Sequence, residues 1–298
     1  MKLIPSKDNI CSRYAEKMLV IKMNNHCNCS CSFCVDRGGF NADAININEI
    51  GKHAIELEEY ENVFVTGGEP FLDFCSVIEL LKLLKPYKKR LVLNTNGTLL
   101  NPYHVEALNG LLDELQISVH HWLESVNMQI FGCKQDLSSI KDALNCNRSF
   151  MVSINSTFNK FTKLQDRNVF IGKMVELCRY IGAKKLRITE LKRVGASEFV
   201  SANDFFEYDS PALSRNSNEL ITQGCTYYFK LEGIDVCVKR LCAFAKGENA
   251  SAFSCCFIND DGQKVIDVDT KDTFKVIYSD GRVRDAWIYS VDYNVPQN

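Results

Sequence analysis

Nowhere in the 298 residues do eighteen apolar residues run together, which excludes a helical membrane span. The opening stretch MKLIPSKDNICSRYAEK lacks the continuous apolar core of an export signal, so a cytoplasmic protein is expected, with no membrane partner. Charge of one sign is also missing. Lys and Arg total 35 against 37 Asp and Glu, a formal net charge of −2, so nothing attracts phosphate backbones in general and nucleic acid is not the default partner. Neither a P-loop nor a G-x-G-x-x-G occurs, which removes the usual ATP and dinucleotide fingerprints. The acidic stretch DVDTKD (267–272) puts Lys271 at the third acidic position of a calcium loop and lacks its turn glycine, so it is no such loop. Internal repeats and low-complexity tracts are absent.

What is present is the composition of a folded soluble protein, 46% hydrophobic and 24% charged, long enough for one large α/β unit or two smaller domains. Between residues 18 and 190 short β-branched runs alternate with amphipathic stretches. The runs are MLVIKM (18–23), NVFVT (62–66), RLVLN (90–94), ELQISV (114–119), FMVSINS (150–156) and KLRIT (185–189). Between them Ile47, Ile50, Ala54 and Leu57 recur at helical spacing. So do Phe74, Val77, Ile78, Leu81 and Leu84, and Phe170, Met174, Leu177 and Ile181, the last stripe ended by Gly182. This βα rhythm predicts a partial (β/α)6, TIM-like barrel over residues 1–190, with functional groups at the carboxyl ends of its strands. The rhythm fails afterwards. Residues 191–298 read as a small α+β, cysteine-rich extension, closing on a hairpin that turns at Ser279-Asp280-Gly281.

Fourteen cysteines, unevenly spread in a long chain without an export signal, point to metal rather than to a disulfide framework. In HCNCSCSFCVD (26–36), Cys27, Cys31 and Cys34 have the spacing C-x3-C-x2-C directly after the first strand. Such a loop can wrap three thiolates around one face of an iron–sulfur cubane and leave one iron open. Cys29 falls inside the first spacer. On spacing alone a zinc site completed by Cys29 or His26 stays open.

The second strand ends in VTGGEPF (65–71) and the third in LNTNGTLL (93–100). With the three cysteines, and Phe33 before the third of them, residues 18–190 resemble the radical S-adenosylmethionine (radical SAM) superfamily. The resemblance implies a [4Fe–4S] cluster on Cys27, Cys31 and Cys34, SAM on its open iron, and reductive cleavage of SAM to a 5′-deoxyadenosyl radical that abstracts hydrogen from a substrate. Gly67 and Gly68 would let the backbone approach the methionine end of SAM, Glu69 would face its ammonium and Pro70 would stiffen the turn. Polar contacts to SAM fall on Thr95, Asn96 and Ser118. His120, by strand alternation, shares the side of Ser118 and is a candidate for SAM or substrate contact or a plain hydrogen-bonded histidine, while His121 faces away. Ser153 and Asn155 share one face of the fifth strand. Arg187 and Glu190 on the sixth are candidates for SAM or substrate, with an internal ion pair as the alternative.

The general likeness is to members that build molybdopterin precursors or modify nucleotides, sugars or peptides. A small-molecule, nucleotide- or sugar-like substrate is expected, with a peptide as the alternative and an electron donor such as flavodoxin or ferredoxin as partner. A non-enzymatic zinc or iron–sulfur protein is the reading from another class. The C-terminal cysteines suggest a twitch- or SPASM-like auxiliary [4Fe–4S] cluster on Cys225, Cys237, Cys242 and Cys255, with Cys256 in reserve; buried inert thiols are the alternative. Cys11, Cys75, Cys133, Cys146 and Cys178 read as packing. No side chain is assigned a catalytic step.

Overall fold

A computed structural model describes residues 17–31, 33–34, 45–163, 167–189, 221–223, 226–239, 254–258, 264–269 and 274–285. Its strands are β1 (Met18–Lys22), β2 (Asn62–Thr66), β3 (Arg90–Thr95), β4 (Glu114–Ser118), β5 (Met151–Thr157), β6 (Lys185–Thr189), β7 (Ile221–Gln223), β8 (Thr226–Leu231), β9 (Ile234–Lys239), β10 (Ser254–Ile258), β11 (Lys264–Asp269), β12 (Phe274–Tyr278) and β13 (Val283–Arg284). The helices are α1 (Ile47–Glu56), α2 (Phe74–Leu84), α3 (Pro102–Leu108), α4 (Glu124–Phe131), α5 (Leu137–Leu144), α6 (Lys160–Lys163) and α7 (Arg167–Ile181). None of the described helices is long and apolar enough to cross a membrane.

The six expected strands pair in sequence order, all parallel. Strands of the C-terminal third extend the sheet at both edges: β12 lies parallel to β1, and β9 parallel to β6. The full order is β13-β12-β1-β2-β3-β4-β5-β6-β9-β8-β7, while β10 and β11 pair separately. The architecture is α/β, a partial barrel. Strand β9 arrives through a tight antiparallel hairpin with β8, turning at Glu232 (φ +49°) and Gly233 (φ +80°). The β12–β13 hairpin turns where expected, with Gly281 at φ +87° and the Tyr278 N–H donating to Arg282 O at 3.0 Å.

The two faces of the sheet differ in chemistry. One carries Ile21, Val65, Leu93, Ile117, Ile154 and Ile188, all fully buried in a single core with helix residues such as Ile50, Leu81 and Met174. The expected stripes of α1, α2 and α7 supply that helix side. Because right-handed crossovers put every helix on the same face, the alternate strand residues face inward, and there the register aligns polar groups. Gln116 pairs with Ser153 and Ser153 with Lys185; one pleat further, Ser118 pairs with Asn155, Asn155 with Arg187 and Arg187 with Cys237. Asn46, Asp73, Asn101 and Asp136 each accept a backbone N–H three residues on, capping α1, α2, α3 and α5 at about 1 kcal/mol each.

Candidate functional site

The loops that follow β1, β2 and β3 interlock through their backbones. The Gly68 N–H donates to Asn24 O (2.9 Å), the Glu69 N–H donates to His26 O (2.7 Å), and Asn24 Nδ2 donates to Glu69 O (3.1 Å). A Cβ on Gly68 would stand 2.0 Å from His26 O, and one on Gly67 2.8 Å from Asn24 O. In the structure, then, both glycines admit the start of the cysteine loop itself. Glu69 is fully buried. Its carboxylate accepts from Thr95 Oγ1 (2.7 Å), the Asn96 N–H (2.6 Å) and the Phe71 N–H (3.0 Å), so every donor described at it belongs to the chain. Burial pushes its pKa up, against these hydrogen bonds. Pro70 opens the short 3-10 turn Pro70–Asp73 that Glu69 caps.

Cys27, Cys31 and Cys34 lie on the loop after β1 and in no disulfide, Cys27 exposed and the other two half-buried. The Cys34 N–H turns back onto Cys31 O (3.1 Å). Asn96 Nδ2 ties this loop to the end of β3, donating to Asn28 Oδ1 (2.8 Å) and lying 3.8 Å from Cys27 Sγ. Partial burial raises the Cys27 pKa, the Cys29 N–H opposes this, and the Glu69 charge adds to it. Cys29 is joined by a disulfide to Cys133. That corrects the reading of Cys133 as packing. The C-terminal end of α4 grips the cysteine loop, with the Ser30 N–H donating to Phe131 O (2.7 Å) and Gly132, at φ +66°, leaving room for Ser30. Gln135 Nε2 then bridges Asn96 O (2.6 Å) and Ser118 O (2.7 Å). Residues 131–135 carry no motif, and spacing had no means of finding them.

Among the described residues, no three Cys, His, Asp or Glu side chains stand at metal-ligand spacing. The donor set nevertheless fits a cubane with one open iron: three thiols on one loop that are in no disulfide, with the fourth nearby thiol taken into one. Two buried acceptors beside these loops, Asn25 Oδ1 and Gln135 Oε1, have no hydrogen-bond partner, as side chains waiting for a polar ligand do.

His120 is packed and hydrogen-bonded. Its ring stacks on Phe131 (4.8 Å between centroids) and meets Phe33 edge-on (5.1 Å), while Nδ1 accepts from the Thr157 N–H (3.2 Å). Burial pulls its pKa down to about 3, so the ring is neutral at physiological pH. The unfolded chain binds the proton more tightly. Stability from this site is therefore complete above the ordinary histidine pKa and is lost as pH falls, by on the order of 3 kcal/mol between pH 7 and pH 4. Urea midpoints at the two pH values should show wild type losing that much more than H120F; equal losses would refute it. His121 faces the helix layer as expected, stacked on Trp122 and near Phe170.

Of the remaining residues, Ser153 donates to Glu114 Oε1 (2.6 Å), in a buried network where Glu114 also pairs with Arg90. Cys178 is buried, its thiol pushed up to about 12, which is the packing role expected; Cys75 and Cys146 are exposed instead. Cys237 is buried on β9. Cys255 and Cys256 lie on β10, whose side chains are not described, and Cys11, Glu190, Cys225 and Cys242 lie outside the described residues.

The model of the radical SAM superfamily matches residues 21–157, the span that holds all three interlocked loops. Over that span the chain carries a match to the radical SAM domain. A protein named probable GTP 3′,8-cyclase from Thermoplasma volcanium is 30% identical over 230 residues, which are 68% of this chain and 65% of that one. YydG of Bacillus subtilis, named for peptide biosynthesis, is 32% identical over 89 residues, 27% of each chain. The fold of Streptococcus suis SuiB, solved bound to the precursor peptide SuiA, covers 95% of this chain at a TM-score of 0.64 and 17% identity. The chain spans 65% of the cyclase and 61% of SuiB.

Proposed function

We propose that the chain is a radical SAM enzyme that binds a [4Fe–4S] cluster through Cys27, Cys31 and Cys34 and acts on a small, nucleotide- or sugar-like substrate. The carrying observation is the loop of three thiols outside any disulfide, locked by backbone hydrogen bonds to the Gly-Gly-Glu-Pro turn, at the strand ends of a polar inner face. The chemistry the cluster and SAM supply when bound is one-electron cleavage of the sulfonium C–S bond and hydrogen abstraction by the resulting 5′-deoxyadenosyl radical. The chain's own part is positioning. Glu69, through Thr95 and Asn96, holds the second loop against the third; Gly67 and Gly68 let the cysteine loop close down on that turn; Asn96 and Ser118 present polar groups at the ends of β3 and β4. His120 keeps Phe33 and Phe131 packed beside the thiols and, being neutral, adds no charge there. Likeness to the cyclase over 68% of the chain supports the small-molecule reading. The YydG segment and the SuiB fold support the second reading, a peptide substrate.

Anaerobic reconstitution with iron and sulfide, then SAM and dithionite, tests the proposal. Release of 5′-deoxyadenosine is expected. A filled, reducible cluster that releases none would leave a barrel used for electron transfer or partner binding.

A further inference from the structure

Arg187 stands on the inner face of β6, half-buried, between Asn155 of β5 and Cys237 of β9. Its Nε is buried without a hydrogen-bond partner, and so is Asn155 Oδ1 in the adjacent register position. Among the described residues Arg187 has no ion pair. The acids of this face are already committed: Glu114 to Arg90, Gln116 and Ser153, and Asp235 to Lys230 at 3.0 Å. A buried guanidinium N–H left without an acceptor among the described residues is costly, and such groups collect where a ligand supplies the acceptor.

We propose that Arg187, with Asn155 beside it, seats an oxyanion of the small-molecule substrate, a phosphate or a carboxylate. This rests on the function proposed above. The guanidinium fork suits a bidentate oxyanion, and the unpaired amide oxygen of Asn155 accepts an O–H or N–H of the same molecule. Arg187 lies three strands from β3, where Asn96 meets the cysteine loop, and at ordinary strand spacing that is roughly 14 Å. The substrate would thus be held at the far side of the inner face, its reacting carbon toward the thiols.

The test uses the reconstituted protein with SAM present, titrated calorimetrically with GTP as the phosphate probe and citrate as the carboxylate probe. Wild type is expected to bind one of the two. R187Q should weaken that binding roughly 10- to 100-fold and R187K recover part of it, with iron per chain and thermal midpoint held. N155D, which offers Arg187 a carboxylate of its own, should weaken the same probe at least about tenfold without unfolding the chain. Unchanged affinity in R187Q and N155D overturns the assignment. So does a wild type that cleaves SAM yet binds neither probe, an outcome separate from failure of the radical SAM chemistry itself.

Discussion

Alanine at Cys27, Cys31 and Cys34 together is expected to strip the cluster from the first loop and to cut 5′-deoxyadenosine release by at least about a thousandfold. The argument is one of donor count. These thiols of the loop lie outside any disulfide, and each would supply a ligand that Cys29, held by Cys133, cannot replace. C29S is the discriminating companion. It should keep its full iron after reconstitution, whereas a four-ligand zinc or iron site built on Cys29 would lose metal as completely as C27S does. Iron that persists in the triple variant, at about four per chain, would belong to the C-terminal thiols and place the auxiliary cluster; none would exclude it.

Gly68→Ala should be the most damaging methyl group added anywhere in the three loops. Its Cβ would stand 2.0 Å from the carbonyl oxygen of His26 and 2.4 Å from the carbonyl carbon. Backbone cannot rotate aside as a side chain can. Either the Gly68–Asn24 and Glu69–His26 hydrogen bonds break or the cysteine loop lifts, and overpacking of this kind costs at least about 3 kcal/mol. Both routes also displace Cys27, one residue on from His26, so iron uptake should fall with stability. Gly172, inside α7, meets nothing within 4 Å and shows the opposite sign. There an alanine should stabilise by about 0.5–1 kcal/mol through helix propensity. Urea midpoints and iron per chain decide both; G68A within 1 kcal/mol of wild type would contradict the clash.

The parts of the fold that were legible share one property, a local period. Strands β1 to β6 and the stripes of α1, α2 and α7 follow alternations readable within a dozen residues. Strands β9 and β12 were not recognised as neighbours of β6 and β1 because no local period points to either pairing: β9 returns through a two-residue turn, and β12 pairs with β1 across more than 250 residues. The site divides in the same way. The cysteine spacing and the Gly-Gly-Glu-Pro turn stood out, but Gln135, Phe131 and Cys133 act through contacts with residues far off in the chain. Nothing local shows that Thr95 and Asn96 fold back onto Glu69.

By itself the amino-acid order determined the βα frame, the match to the radical SAM domain and the close spacing of three cysteines, since each depends on residue type at short separation. Tertiary structure alone decided which hydrogen bonds close around the acidic turn, which histidine is locked neutral and which arginine has a buried N–H without a partner among the described residues. Those outcomes depend on strand register and burial, and a register exists only once distant strands have paired, when the pleat assigns each side chain to one face or the other.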